Sequence, residues 1–523
     1  MKQPLRIGIL AGNSFELPAW EYEMLQQISK NEYASICTII ISENQEPAKK
    51  SFLYRLFTKF EDSWFGNKYD AVKKINIKNI FSEKNIPADN IQEIESCNLD
   101  VIYISVTANY QLQQVLPVRY GCWKIIVGKG KYFSATPPAF WEVMNGEAST
   151  GSSLIICNTK SENQITVYSG STITIPYSVK NNLRSLLWKS SSFLPYRLKE
   201  LYDLSSDLFF EKYKCETIYK VSQLKSPGNG LMIWFFLKNS FSYLIYKVRN
   251  ATQKKRFTIL FSNQPYNDSK TNFAEFKTIA LTKDNFIADP FIIKKDDKQF
   301  IFFEEFLYSK NKAHISVKEL LKNGDATESV IVLDKPYHLS YPFVFEWENE
   351  FYMIPETAAN NTVELYRCKR FPDQWDFVMN LMENISLIDC TLHFENGKWW
   401  MFACTQNHPV TTSNDQLLLF YSENLFSNNW IAHPQNPVAT DISNCRPAGK
   451  IFSKDGKLYR PAQNNASQQY GYALKINCIE ILNEKEYKET EVFEILPGVK
   501  NNLLAVHMFN FTDDTVVIDG IVK

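Results

Sequence analysis

The sequence predicts two architectures in one chain: an α/β Rossmann-like domain over residues 1–180 and an all-β five-bladed propeller over residues 256–523, joined by a helical connector over 181–255. Three observations predict it. Short β-branched runs alternate with helix-like stretches near the N-terminus. A repeat of strand, polar turn and strand recurs through the second half. The 523 residues also exceed what one ordinary core organises, since domains run to roughly 100–200 residues.

In the first domain, Leu5–Ala11, Ile36–Ser42 and Leu99–Val106 are the β-branched runs, and Tyr22–Lys30 reads as a helix. That alternation implies a parallel sheet with crossover helices. Gly8 and Gly12 form only Gly-x-x-x-Gly, without the spacing that lets a backbone approach a pyrophosphate, so a dinucleotide is not expected. In the connector, Leu183, Leu186, Leu187 and Trp188 are spaced like a helix face. Pro195 is expected to break or kink it before Leu198 and Leu201 resume the stripe. Pro227-Gly228 marks a turn ahead of an apolar stretch, Leu231 to Val248. Lys238, Asn239, Ser240 and Ser242 interrupt it, and a membrane span needs about 20 apolar residues, so a buried helix is expected. Peripheral membrane contact is the alternative, because Lys247, Arg249, Lys254, Lys255 and Arg256 follow and suit anionic headgroups.

Composition narrows the function classes. Lys+Arg and Asp+Glu both number 57 with no basic block, so no nucleic-acid partner is expected. The 10 cysteines are spread singly, several in apolar strands such as those of Cys37 and Cys157, which suits buried thiols in a reducing compartment. The N-terminal MKQPLRIGILAG runs straight into a strand without a signal-like apolar core. A cytoplasmic protein is therefore expected, with peripheral attachment at the inner membrane as the variant. Aromatic residues make up 14%; most suit core packing, and a minority suit stacking on sugar C–H faces.

The repeat is read by aligning DPFIIKKDDKQFIFFEE from Asp289, YPFVFEWENEFYMIPET from Tyr341, DCTLHFENGKWWMFACT from Asp389 and RPAGKIFSKDGKLYRPAQ from Arg446. A period of about 50 residues fits a blade of four short strands. Val506–Gly520 supplies a fifth unit, and Phe257–Ala280 has strand character that can close the ring. Antiparallel neighbours bring the start of one strand beside the end of the next. Asp289 is thus expected beside Glu304 or Glu305, Tyr341 beside Glu356, Asp389 beside Cys404, and Arg446 beside Ala462 and Gln463. Together these residues are expected to ring one mouth of the axis, where propellers bind ligands. For any single one, a carboxylate bonded to a turn is the plain alternative.

Chemistry at a glycosidic carbon uses two carboxyl groups, one to protonate the leaving oxygen and one as base or nucleophile. Asp289 is the candidate base, Glu356 the candidate acid and Asp389 a tuning partner. The candidate substrate-binding set is Glu305, His338, Tyr341, Arg446, Arg460, Gln463, Tyr470 and His507. Arg446 and Arg460 suit a phosphate or acidic sugar through bidentate hydrogen bonds, and His338 or His507 suits a general base or an orienting group. No His or Cys spacing marks a metal site, although a carboxylate axis also suits Ca²⁺. No cofactor is expected.

Two resemblances add to this reading. From Arg119 to Gly170 the chain resembles the folate-dependent formyltransferase family: Gly121-Cys122, Pro138, Gly146, Thr150 and Gly151 fall on family positions, and Trp141-Glu142-Val143 is similar to a polysaccharide-associated branch. The resemblance implies a formyltransferase-type version of the Rossmann-like fold. In that register Lys124 replaces the family's Asn, Ile126 its His and Glu162 its Asp. An isoleucine moves no proton, and all 6 histidines lie between His314 and His507, so neither formyl transfer nor folate use is expected. The domain reads as a degenerate scaffold, with Lys124, Lys129 and Lys131 leaving open a nucleotide-linked sugar.

In the second half, Ala288-Asp289-Pro290-Phe291, His338-Leu339-Ser340-Tyr341-Pro342, Met353-Ile354-Pro355-Glu356, Trp399-Trp400-Met401-Phe402, Arg460-Pro461-Ala462-Gln463 and Tyr470-Gly471 carry the other resemblance. They are similar to the propeller at the N-terminus of plant glucosamine inositolphosphorylceramide transferases and in bacterial polysaccharide-locus proteins. This implies a distant relation to arabinanase and fructosidase hydrolases, with Asp289 on their blade-one catalytic Asp and Arg446 where a later acid is expected. The favoured function is glycosyl transfer in surface-polysaccharide or glycolipid assembly, acting on a glycan or activated sugar. The alternatives are a non-catalytic glycan-binding or scaffold protein and a furanosidase-like hydrolase. A homo-oligomer is left open.

Overall fold

A computed structural model describes residues 2–43, 50–66, 69–82, 84–109, 116–157, 164–213, 224–252, 256–267, 271–321, 324–406, 408–467, 470–500 and 503–522. Glu162, Lys254 and Lys255 lie outside them. The chain divides into two compact units, Met1–Arg249 with Asn407–Thr412, and Asn250–Gln406 with Ser413–Lys523.

The first unit is built on a seven-stranded sheet. In spatial order its strands are Asn85–Pro87, Ala34–Ser42, Leu5–Gly12, Val101–Ile104, Cys122–Val127, Ser149–Cys157 and Gln164–Ile173. The three β-branched runs named from sequence pair in parallel, as do the strands on either side of them. Ser149–Cys157 then runs antiparallel to Cys122–Val127 and to Gln164–Ile173. The sheet is therefore mixed, not all-parallel: a short connection between the last two strands permits only an antiparallel return, whereas parallel pairs need a crossover. Ile126 packs at the edge of the core formed by Cys122, Ile155 and Cys157.

Helices Val179–Ser190 and Phe193–Asp203 pack against this sheet through Leu187, Trp188, Leu194 and Leu198. The break falls at Ser191 and Ser192, ahead of Pro195, which sits in the first turn of the second helix. Proline is tolerated there because the first-turn N–H groups have no intrahelical acceptor. His408, which the sequence groups with the second half, belongs to the first unit and stacks on Trp188 with ring centroids 4.1 Å apart.

The helix Asn229–Thr252 corrects the expectation of a buried segment. Met232 and Phe235 are buried, whereas Trp234, Leu237 and Phe241 are about 60% exposed. Its apolar residues are too many for the one face that packs, so part of them stays outside, and no helix among the described residues is long and apolar enough to cross a membrane.

The second unit is a ring of five four-stranded antiparallel sheets. The first four blades begin with the strands Asn285–Lys295, Ser340–Trp347, Ile388–Glu395 and Phe452–Lys454, each followed by its own three partners. The fifth joins Leu503–Phe511 and Val516–Val522 to Arg256–Ser262 and Lys277–Thr278 from the start of the unit. Phe257 pairs with Ile521 and Leu260 with Ile518, so the two ends of the ring are closed by backbone hydrogen bonds. The turns after the first strands of blades one to four hold Asp296-Asp297, Glu348-Asn349, Asn396-Gly397 and Asp455-Gly456 at positive φ. Two successive left-handed residues define the two-residue hairpin turn that matches strand twist, which is why the turns are polar and Asn-, Asp- or Gly-rich. Phe291, Phe343, Met401, Ile476 and Phe509, among others, fill the core between blades.

Candidate functional site

The axial site is organised by bulges in the first strands. Pairing in blade one runs Ala288 with Glu304 and then, after a slip, Phe291 with Phe302; blades two and three repeat this with Ser340 and Glu356, and with Ile388 and Cys404. The extra residues are Asp289, Tyr341 and Asp389, all in the left-handed region with φ of 53°, 42° and 55°. Such a conformation costs of order 1–3 kcal/mol for a non-glycine residue, so the surroundings must fix it. They do so by hydrogen bonds between blades. The Asp289 N–H donates to Asp519 (2.8 Å), the Tyr341 N–H to Asp289 (3.1 Å) and the Asp389 N–H to Glu356 (3.3 Å).

The repeat thus brings together Asp289, Glu304, Glu356 and Asp389, joined by Asp519 from the last strand. Arg446 faces them: its Nε donates to Asp389 at 2.5 Å, Nη2 lies 3.8 Å from Glu356, and Nη1 donates to Asn414 at 2.8 Å. Gln463, fully buried, donates to Asp389 and to the Pro447 carbonyl. Tyr470 lies beside the Arg446 guanidinium, 5.4 Å from ring centroid to Cζ. His507 is buried between two carboxylates, with Nδ1 2.6 Å from Asp519 and Nε2 3.5 Å from Asp289, and its ring stacks on Phe257. His338, half-buried, sits 3.3 Å from Glu304.

Electrostatics follows from the crowding. Burial, together with the charges of Glu304, Asp389 and Asp519, drives the Asp289 carboxyl well above its ordinary range against the pull of His507. Burial and the neighbouring Asp389 charge do the same for Glu356, against Arg446. His507 is pushed down by burial, yet Asp519 and Asp289 outweigh this, so it holds its proton more tightly than a free imidazole. Five carboxyl groups face the Arg446 and His507 side chains, and the tighter hold of Asp289 and Glu356 on their protons lowers the excess of negative charge. Chemically, the arrangement offers a carboxyl that keeps a proton to donate, a second carboxyl beside His507 that is a stronger base than a free one whenever it is ionised, and a guanidinium for an anion or a developing negative charge. Asp289, His507 and Asp519 also place ligand atoms within 4.8 Å of one another, a two-carboxylate, one-imidazole set that a cation could use.

Four residues of the sequence-derived set take different places. Glu305 points to the opposite face of its sheet from Glu304, as neighbouring strand residues must. There it accepts from Asn285 and Ser316 and lines a separate cleft of about 730 Å³. Burial would raise its carboxyl, but these bonds and His314 hold it down at about 2. Arg460 is engaged by Glu489 and the Asn444 carbonyl within blade four. Tyr341 is fully buried and its hydroxyl accepts from the Gly449 N–H and meets Thr391, so it plugs the axis and offers no surface to a ligand. Cys404 is a buried thiol on the Ile388 pairing. Sequence reading missed Asp519, whose only signal is one carboxylate inside the apolar run VVIDGIV.

Comparison with known proteins fits the second unit. The family described as glucosamine inositolphosphorylceramide transferase 1, N-terminal, matches residues 272–503. Glucosamine inositolphosphorylceramide transferase 1 of Oryza sativa subsp. japonica is 39% identical over 211 residues, covering 40% of this chain and 28% of that protein. The Arabidopsis thaliana protein of the same name is 32% identical over 211 residues, covering 40% and 27%. The chain thus matches little more than a quarter of the length of these relatives. Among solved structures, a family 117 glycoside hydrolase produced by Zobellia galactanivorans gives a TM-score of 0.34 at 9% identity, covering 51% of this chain and 90% of that one. A Bombyx mori beta-fructofuranosidase gives 0.33 at 13% identity, covering 41% and 52%.

Proposed function

We propose that the protein is a carbohydrate-active protein of glycolipid or surface-polysaccharide biosynthesis, and that its propeller transfers a sugar at the axial site. The observation that carries this reading is the buried pair Asp289 and Glu356, both held above the usual carboxylate range beside His507 and Arg446. Sequence similarity to named transferases over residues 272–503 supports the same direction. In this reading Glu356 gives its proton to the leaving oxygen. Asp289 acts in its ionised form, in which its raised proton affinity makes it a stronger base than a free carboxylate, and with His507 beside it takes the proton of the incoming hydroxyl. Arg446, fixed by Asp389, meets the phosphate of an activated sugar or of a lipid headgroup.

The second reading is a glycan-binding module without chemistry. It is favoured by the bonds that tie Asp289, Glu356 and Asp519 to backbone N–H groups of neighbouring blades, a structural use of the same carboxylates. One experiment separates the two. The protein is incubated with activated sugars and lipid or glycan acceptors, and Asp289→Asn and Glu356→Gln are run beside it. Transfer predicts product from the unaltered chain and a loss of about 100-fold or more in each variant. Ligand binding that survives both substitutions with no product from any form establishes the binding module instead.

A further inference from the structure

Two helices carry outward apolar faces, within the first unit, that none of its described residues covers. On Phe52–Phe65 the exposed residues Phe52, Leu56, Phe60 and Trp64 recur every fourth position. On Asn229–Thr252 the stripe is Ile233, Trp234, Leu237, Phe241, Leu244 and Val248, again at helical spacing. The helices lie side by side: Phe57 meets Phe235 and Phe236 edge-on at 5.1 and 5.5 Å, and the Leu53 N–H donates to Asn229 at 3.1 Å. Their inner faces are thus satisfied while ten large apolar side chains, Trp64 and Trp234 among them, remain outside. A patch of this kind marks an interaction surface.

Charge selects the occupant. No Asp or Glu occurs between Glu216 and Asp268, a stretch that contains eight Lys and Arg residues. On the shorter helix Arg55 and Lys59 are exposed, whereas its two acids are taken: Glu61 is buried and accepts from the Lys180 N–H, and Asp62 accepts from the Lys180 ammonium at 2.5 Å. An apolar stripe bearing tryptophan, flanked by cations and free of unpaired acids, fits the interface of an anionic bilayer, where the rings reach the acyl boundary and the ammonium groups the phosphates. We propose that the helix pair Phe52–Phe65 and Asn229–Thr252 is a docking surface on which the protein lies in the headgroup region of an anionic membrane. This inference is independent of the reading of the axial site, since the exposed apolar residues of both helices lie in the first unit.

The test is co-sedimentation of the full chain with vesicles of phosphatidylcholine alone and of phosphatidylcholine with phosphatidylglycerol, at low and high salt. The expected result is partitioning about tenfold or more stronger onto the anionic vesicles, weakened by salt. Leu237→Glu with Phe241→Glu is expected to abolish it with far-UV circular dichroism and thermal melt unchanged, because both side chains are exposed. Lys59→Glu with Lys247→Glu is expected to remove the preference for anionic lipid. The proposal is overturned if the unaltered chain stays in the supernatant with both vesicle types, or if the Leu237/Phe241 variant binds as well as it does. A concentration-dependent dimer that the same variant dissociates, without vesicle binding, also overturns it and makes the face an interface between copies.

Discussion

At the scale of single residues, the axial carboxyl groups owe their behaviour to burial that is only partly compensated. Asp289 and Glu356 both bind protons more tightly folded than unfolded, so the stability they contribute is full below the ordinary carboxylate range and is lost as pH rises. Glu356→Gln is therefore expected to melt higher than the unaltered chain at pH 8 while losing transfer, an opposition that differential scanning calorimetry and an activity assay together read out. Glu142 shows the same sign in the first unit. Its carboxyl oxygens are buried without a hydrogen-bond partner among the described residues, and burial, helped by the Glu147 charge, raises it to about 7. Its stabilising effect is complete below about pH 4.5 and gone above about pH 7. Glu142→Gln is expected to stabilise by on the order of 3 kcal/mol at pH 8 and by little at pH 4, measured by urea unfolding. Asp289, Asp389 and Arg446 were legible in the sequence because the repeat puts them at its first position, and Glu356 because it stands where the paired strand of its repeat ends. Arg460 was not, because nothing local to the repeat says that Glu489, two strands away in the same sheet, will take its guanidinium.

At the scale of elements, glycine positions decide how closely blades and side chains approach. Gly449 has φ of 137°, and a Cβ there would stand 2.1 Å from the Phe509 carbonyl. Gly449→Ala must therefore push blades four and five apart, with an expected loss of about 3 kcal/mol or more in chemical denaturation. Gly471 is a subtler case: φ is 61° and a Cβ would stand 2.6 Å from His507 Cβ and 2.9 Å from its ring Cγ. Gly471→Ala is expected to cost about 1–2 kcal/mol for the backbone and to displace His507 from Asp519, so activity should fall by far more than stability. A variant with unchanged turnover would remove His507 from the proposed chemistry. The strand-turn-strand hairpins were readable because Asn-Gly and Asp-Gly turns have a local cause. The bulges at Asp289, Tyr341 and Asp389 were not, because they are held by carboxylates from other blades.

At the scale of the whole molecule, the propeller depends on a pairing between residues about 260 apart in sequence, Arg256–Ser262 against Val516–Val522. A contact of that span carries a loop-closure entropy that the paired strands must offset to hold the ring shut. Removing Val516–Lys523 deprives both Leu503–Phe511 and Arg256–Ser262 of their partner. The truncated chain is expected to lose the cooperative transition of the propeller, seen as a missing step in thermal unfolding followed by circular dichroism. By itself the sequence determined the strand-rich repeat, the five-unit count, the parallel runs of the first sheet and the register of four axial residues, because each rests on periodicity or turn chemistry that neighbouring residues dictate. Only the tertiary structure decided that Asp519 backs His507, that Glu304 faces the axis while Glu305 turns away, that Tyr341 is a plug, and that the Asn229–Thr252 helix leaves an apolar face outside. Those outcomes depend on what stands opposite a side chain in space, and one-dimensional order does not specify that.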